Sequence, residues 1–193
     1  CMEGVSGENT SGYELWGALN GNASSGFFAN NAPGPNSTAH TNSMSVWSTS
    51  GGSLNSWFHV AFVVDRSAGK MYLYHNGTQV GTSGTKNISP WYVRNDFDVY
   101  IGAGLLNAST VSYFLDGAAD NVRFYKKALS ATEIANDKNS NSIPATTDGL
   151  IAAYDFENMT ETSVPDVSGN GHNGVLVGYS SAGAISNVVL LGD

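Results

Sequence analysis

The sequence predicts an all-β fold, an antiparallel β-sandwich carrying one short helix. Three observations point there: short β-prone runs recur between Gly-, Asn- and Pro-containing breaks along the 193 residues, an Asn-Gly pair joins two of them, and one capping box opens the one helical stretch. One domain is expected, because all-β sandwiches reach this length without splitting.

In chain order, residues 13–19 (YELWGAL) and 25–31 (SGFFANN) read as strands, and residues 30–43 (NNAPGPNSTAHTNS) as a long loop. Residues 57–65 (WFHVAFVVD) place Phe58, Val60, Phe62 and Val64 on one face and Trp57, His59, Ala61 and Val63 on the other. With both faces largely apolar, this run is expected to be a central strand covered on both sides, with Trp57 in the core and His59 a packed strand residue. After a turn at residues 66–70, the run MYLYHNGTQVG holds Asn76-Gly77, both tolerant of positive φ, and predicts a type I′ hairpin. Residues 96–102 (DFDVYIG) and 121–125 (NVRFY) alternate as half-buried strands do. Ser130 and Glu133 form a Ser-x-x-Glu capping box that starts a helix of about two turns, with Leu129 and Ile134 turned inward. Residues 136–148 (NDKNSNSIPATTD) read as a polar linker; LIAAYDF at 150–156 begins a new strand, and GVLVG at 174–178 returns.

Composition narrows the function classes. Charged residues make up 12% of the chain and the formal net charge is −8, so solubility rests on Ser, Thr, Asn and Gly. Eight scattered Lys and Arg exclude a nucleic-acid partner, which needs clustered cations. No apolar run approaches the roughly 18 residues a membrane span requires, so no membrane span is expected. The lone cysteine, Cys1, has no internal partner and is silent on redox compartment. Asn-x-Ser/Thr acceptors at Asn9, Asn22, Asn36, Asn76, Asn87, Asn107 and Asn158 are what a chain rich in these residues contains by composition.

The stretch Asp166–Gly174 (DVSGNGHNG) spaces oxygen-bearing side chains at Asp166, Ser168 and Asn170, with Gly169 and Gly171 between them. That one-three-five spacing is similar to the first half of a calcium loop, and a carbonyl near His172 adds a fourth oxygen. Calcium takes about six to eight oxygens, and an EF-hand is excluded because the twelfth position is Val177 rather than Glu. A metal loop and an Asx-type turn held by its own Asp and Ser both remain open.

Three segments carry a family resemblance. Residues 57–81 (WFHVAFVVDRSAGKMYLYHNGTQVG) resemble the central hairpin of laminin-G-like, concanavalin-like jelly-roll domains. Residues 113–134 (YFLDGAADNVRFYKKALSATEI) resemble the closing segment of that family, and residues 149–178 its opening segment, a Tyr-x-Phe strand followed by Asp-x-Ser-Gly-Asn-Gly. The order is rotated, since the opening type of segment stands after the closing one. The resemblance therefore implies a jelly-roll sandwich whose main part is residues 1–135, joined by the linker at 136–148 to residues 149–193. That last segment completes the same sandwich in cis, completes a neighbouring copy in trans by strand donation, or is a slice of a second tandem repeat. The resemblance also implies a structural calcium shared by the loop and Asp120, with Asp116 in reserve.

Some concanavalin-like relatives hydrolyse glycosides, which requires a carboxylate pair flanking the sugar. The six glutamates, Glu3, Glu8, Glu14, Glu133, Glu157 and Glu161, form no strand pair, and Asp96-Phe-Asp98 stands without a third acid. His40 and His172 have no Ser or Cys nucleophile motif beside them. The expectation is a non-enzymatic extracellular or cell-surface module binding a glycan or a surface protein. Its candidate ligand residues are Trp47, Trp91, Tyr92 and Asn95, with Asn30 and Asn31 as polar neighbours.

Overall fold

The computed structural model describes residues 12–17, 24–31, 40–48, 55–91, 98–107, 110–112, 114–115, 117–140, 148–179 and 185–191. Its strands are antiparallel and fall into a front part and a tail. The front holds β1 (Gly12–Gly17), β2 (Ser24–Asn31), β3 (His40–Ser48), β4 (Val60–Asp65), β5 (Lys70–His75), β6 (Thr78–Thr82), β7 (Val99–Ile101), β8 (Gly104–Asn107), β9 (Thr110–Ser112) and β10 (Val122–Tyr125), followed by helix α1 (Ala131–Lys138). The tail holds β11 (Leu150–Tyr154), β12 (Ser163–Val164), β13 (Gly174–Tyr179) and β14 (Ile185–Leu191).

Two three-stranded sheets, β1-β2-β3 and β4-β5-β6, pack face to face. On β3 the pleat is legible in burial: Met44, Val46 and Ser48 are buried while Ser45 and Trp47 are exposed. Met44 and Val46 meet Met71 and Leu73 of β5, together with Ile88 and Trp91, and Leu15, Val60, Phe62, Val64 and Val80 close around them. The layers approach so closely that a Cβ on Gly81 would stand 2.9 Å from a Val46 methyl, so a glycine is required there. The segment that carries Ile88 and Trp91 is tied down by Arg66, whose guanidinium donates to the carbonyls of Ile88 and Ser89 at 3.2 Å and to that of Trp91.

Of the run at 57–65, the part that forms β4 is covered on both faces, but not by a central place in its sheet. Among the described residues β4 ends its sheet and β5 is the strand flanked on both sides. The second apolar face of β4 and β5 is covered by helix α1, where Val63 and Tyr74 pack with Ile134, Ala61, Tyr72 and Leu129. The strand also starts at Val60, three residues later than expected, so Trp57 stands before the layered region and is 71% exposed; it is not a core residue. The hairpin is as expected, with Asn76 at φ 49° and Gly77 at φ 79° joining β5 to β6.

Helix α1 begins at the expected capping box. Ser130 Oγ accepts from the Glu133 amide at 3.3 Å, and Glu133 Oε2 accepts from the Ser130 amide at 2.8 Å. Lys127 and the two Ser130 donors pull the Glu133 carboxyl down to about 2. The helix continues through Lys138, so the polar linker begins later than residue 136. At the other end of the expected long loop, residues His40 to Ser43 belong to β3.

The tail joins the front along two ladders. β11 pairs with β10, Val122 opposite Tyr154 and Phe124 opposite Ala152, and β14 pairs with β7 in the order β12-β13-β14-β7. Between these ladders lies a separate apolar cluster of Ile101, Ala152, Tyr154 and Val164, with Val122, Phe124, Phe156 and Leu176 packed against it.

A loop that caps a strand edge, and an exposed tryptophan

The loop at 166–173 lies against β11 and uses its polar groups there. Ala153 donates its amide to Asp166 Oδ1 at 3.0 Å, and its carbonyl accepts from the Val167 amide at 2.8 Å. Both backbone groups of Ala153 are thereby taken, so the loop occupies the β11 edge that β10 leaves open. Asn170 Nδ2 extends the same edge, donating to the carbonyls of Leu150 at 3.1 Å and Ile151 at 2.9 Å, and Ser168 Oγ donates to the Ile151 carbonyl at 3.3 Å. An exposed strand edge is a template for unwanted pairing, and here side chains stand in for the missing strand.

Asp166 is the hub. Its Oδ1 also accepts from the Ser168 amide at 2.9 Å and its Oδ2 from the His172 amide at 3.0 Å, while its own amide donates to Asn173 Oδ1 at 2.9 Å. Burial pushes the Asp166 carboxyl up, but the hydrogen bonds from Ser168, Ala153 and His172 outweigh it and hold the carboxyl below its ordinary value. Tyr154 donates its hydroxyl to the His172 carbonyl at 2.5 Å; burial, reinforced by the Asp166 charge, raises that phenol well above its usual range. Gly169 at φ 84° and Gly171 at φ 86° supply the left-handed backbone this path needs.

In this arrangement the loop's polar groups are turned to partners within the protein. Both Asp166 oxygens face N–H donors, Asn170 presents its NH2 to carbonyls, Ser168 is spent between the Ile151 carbonyl and the Asn170 amide, and the His172 carbonyl is taken by Tyr154. Asp120 is exposed and turned to its neighbour, accepting from the Asn121 amide at 2.7 Å and from Asn121 Nδ2 at 3.1 Å. Among the described residues no group of three His, Cys, Asp or Glu stands together. Asp116 lies outside the described residues.

The expected ligand residues divide sharply. Trp91 is 6% exposed and packs in the front core, so it has no ring face to offer. The reason is the Arg66 tie, which draws the loop carrying Trp91 under the sheet. Tyr92 and Asn95 lie outside the described residues, and Asn30 and Asn31 are placed only as backbone positions on β2. Trp47 is 70% exposed on the outward side of β3, between the buried Val46 and Ser48. The register sets Trp16 opposite Ser25 and Ser25 opposite Trp47, so the three positions form one row across the sheet.

An exposed aromatic pair was missed by pattern reading. Trp57 and Phe58, 71% and 37% exposed, precede β4, and Phe58 meets the His75 ring edge-on at 5.9 Å. This segment is pinned to the hairpin tip, since the His59 amide donates to Asn76 Oδ1 at 3.0 Å and the Asn76 amide to the His59 carbonyl at 2.8 Å. The His59 ring is not a fully bonded strand residue: its Nε2 stands 3.8 Å from Asp137 Oδ2, and its buried Nδ1 has no hydrogen-bond partner. Asp137 is held chiefly by Arg123 at 2.9 Å and the Tyr125 hydroxyl at 3.0 Å.

Comparison with known proteins agrees with this architecture. Residues 3–135 match the model of a laminin-G family described as the concanavalin A-like lectin/glucanases superfamily, and the chain belongs to that family. The match ends within α1, so the tail lies beyond it. No curated protein matches the chain. A crystal structure of an S-layer domain-containing protein (residues 221–444) from Clostridium thermocellum is similar, with 21% identity and a TM-score of 0.35; the match covers 68% of this chain and 65% of that one. No described helix is long and apolar enough to cross a membrane.

Proposed function

We propose that this chain is a non-enzymatic binding module of an extracellular or cell surface that holds neutral carbohydrate on the ring of Trp47. The observation that carries this reading is the position of Trp47: a large ring, 70% exposed, fixed on a strand whose neighbouring residues are buried on both sides. An aromatic face stacks under the apolar C–H face of a sugar, and a rigid strand position limits the entropy lost on binding. A weakly charged, acidic surface suits neutral glycans rather than acidic ones. The non-enzymatic part of the reading rests on the acids: Glu133, Asp137 and Asp166 are engaged in ion pairs or hydrogen bonds that hold the fold.

The test is titration of neutral oligosaccharides against wild type and Trp47→Ala, followed by tryptophan fluorescence. Binding that falls at least about tenfold in the variant, with an unchanged melting temperature, supports the platform. Equal binding by both proteins removes Trp47, and retention of a cell-surface protein unaffected by excess glycan makes the ligand a protein.

A further inference from the structure

We infer that Asn170 is a self-modification site, where attack by the Gly171 amide converts the side-chain amide to a carboxylate and releases the loop from β11. The inference is independent of the ligand proposed above. It rests on how the fold treats the chain's Asn-Gly pairs.

Such a pair can react with itself because glycine puts no Cβ between its own amide and the asparagine side chain. The glycine amide nitrogen gives its proton to water or hydroxide and bonds to the side-chain carbonyl carbon. The bond from that carbon to Nδ2 breaks, and the nitrogen leaves as ammonia with a proton from solvent. Water then opens the five-membered succinimide to aspartate or isoaspartate. One water is consumed for each ammonia released, and no oxidant or cofactor is needed.

The chain has four Asn-Gly pairs, of which Asn20-Gly21 lies outside the described residues. Two of the others are held. Asn76-Gly77 is the turn between β5 and β6, where Asn76 bonds His59 through both its amide and its Oδ1, and a Cβ on Gly77 would stand 3.4 Å from Ala135 of α1. Gly174, which follows Asn173, is buried and paired with Val164 on one side and Leu191 on the other. Asn170-Gly171 is different. Gly169, Asn170 and Gly171 are exposed, a Cβ on either glycine would meet nothing within 4 Å, and among the described residues the Gly171 amide has no acceptor. The nucleophile is unspent and the backbone around it has room to turn.

The conversion matters because of what Asn170 holds. Its Nδ2 donates to the Leu150 carbonyl at 3.1 Å and the Ile151 carbonyl at 2.9 Å. The product has no N–H at that place, so its carboxylate oxygens face two carbonyl oxygens, in a loop that already carries the Asp166 charge. The edge of β11 that the loop covers is thereby opened, and the step does not reverse.

The test ages the folded full chain at mildly alkaline pH and follows Asn76, Asn170 and Asn173 by peptide mass spectrometry, with the urea-unfolded chain as the reference. Asn170 is expected to convert first in the folded protein, while the unfolded chain converts all three alike. Asn170→Asp is expected to melt roughly 2–10 °C below wild type, and aged wild type to move toward it. Asn170→Gln, whose longer side chain would have to close a six-membered ring, is expected to keep its melting temperature on ageing. The inference is overturned if Asn170 stays intact in the folded protein after the unfolded chain has converted, or if Asn76 or Asn173 converts before it. An Asn170→Asp variant that melts like wild type also overturns it, because the loop then stays docked without the amide.

Discussion

The two apolar clusters of this chain differ in what builds them. The front cluster around Met71 and Leu73 draws all its residues from positions 15 to 91, inside the segment that matches the laminin-G family. The junction cluster around Tyr154 is divided between residues 101–124 and residues 152–176, on either side of helix α1 and the linker. The first closes once the β3 and β5 layers meet. The second exists only while the tail is docked, and β7 and β10 have their described partners there too. Stability in this molecule is therefore expected to be uneven, with the seam rather than the centre opening first.

The largest break of that comparison is truncation at residue 145. Without the tail, Val122, Phe124 and Ile101 lose their cover and two strand edges are left open, so the fragment is expected to aggregate or melt without cooperativity by circular dichroism. A soluble fragment with the wild-type melting temperature contradicts the role given to the tail. Next comes Tyr154→Ala, which removes a ring that is 1% exposed and stacks edge-on to Phe124 at 6.4 Å. An expected loss of about 3–5 kcal/mol, measured by urea unfolding, should fall on the junction, while Met71→Ala, at about 2–5 kcal/mol, should unfold both regions together.

Removing the loop hub is a smaller change. Asp166→Ala leaves the Ala153, Ser168 and His172 amides without their acceptor, an expected cost of about 2–4 kcal/mol. The loss should be the same with calcium and with chelator, because the clamp holds itself by hydrogen bonds; a calcium-dependent stabilisation that Asp166→Ala abolishes would restore the shared cation. The sign with pH follows from the lowered carboxyl. A depressed acid adds stability that is fully present above its ordinary value of 3.8 and is lost as pH falls through the lower folded value. The stability gap between wild type and Asp166→Asn should therefore shrink in the acid region below 3.8 and stay constant above it. Smallest is Ser130→Ala, expected to cost about 1 kcal/mol by removing the cap of α1.

What was legible in the sequence is what is decided locally. Asn76-Gly77 fixes its turn by backbone preference alone, and Ser130 with Glu133 caps a helix within one turn. The β10 strand and the hairpin were legible for the same reason, their alternation matching the pleat. The tryptophans were misread because their exposure is settled by distant residues. Trp91 is drawn inward by Arg66, 25 positions away, and Trp57 is left outside because the sheet begins at Val60. β3 was hidden because its outward positions include Ser43 and Ser45, which read as loop composition until Met44 and Val46 are seen to face the core. The loop at 166–173 was legible as a special turn, but its partner was not, since nothing near it in sequence says that its oxygens and amide would be spent on the edge of β11.

Native-state hydrogen exchange across the seam tests the central claim most directly. If the tail docks as one unit on β10 and β7, the amides of Val122–Tyr125 and Leu150–Tyr154 should exchange with one common opening free energy, lower than that of Lys70–His75 in β5. Rapid exchange throughout Leu150–Tyr154, while Val122–Tyr125 stays as protected as β5, would mean that the front part closes without its tail.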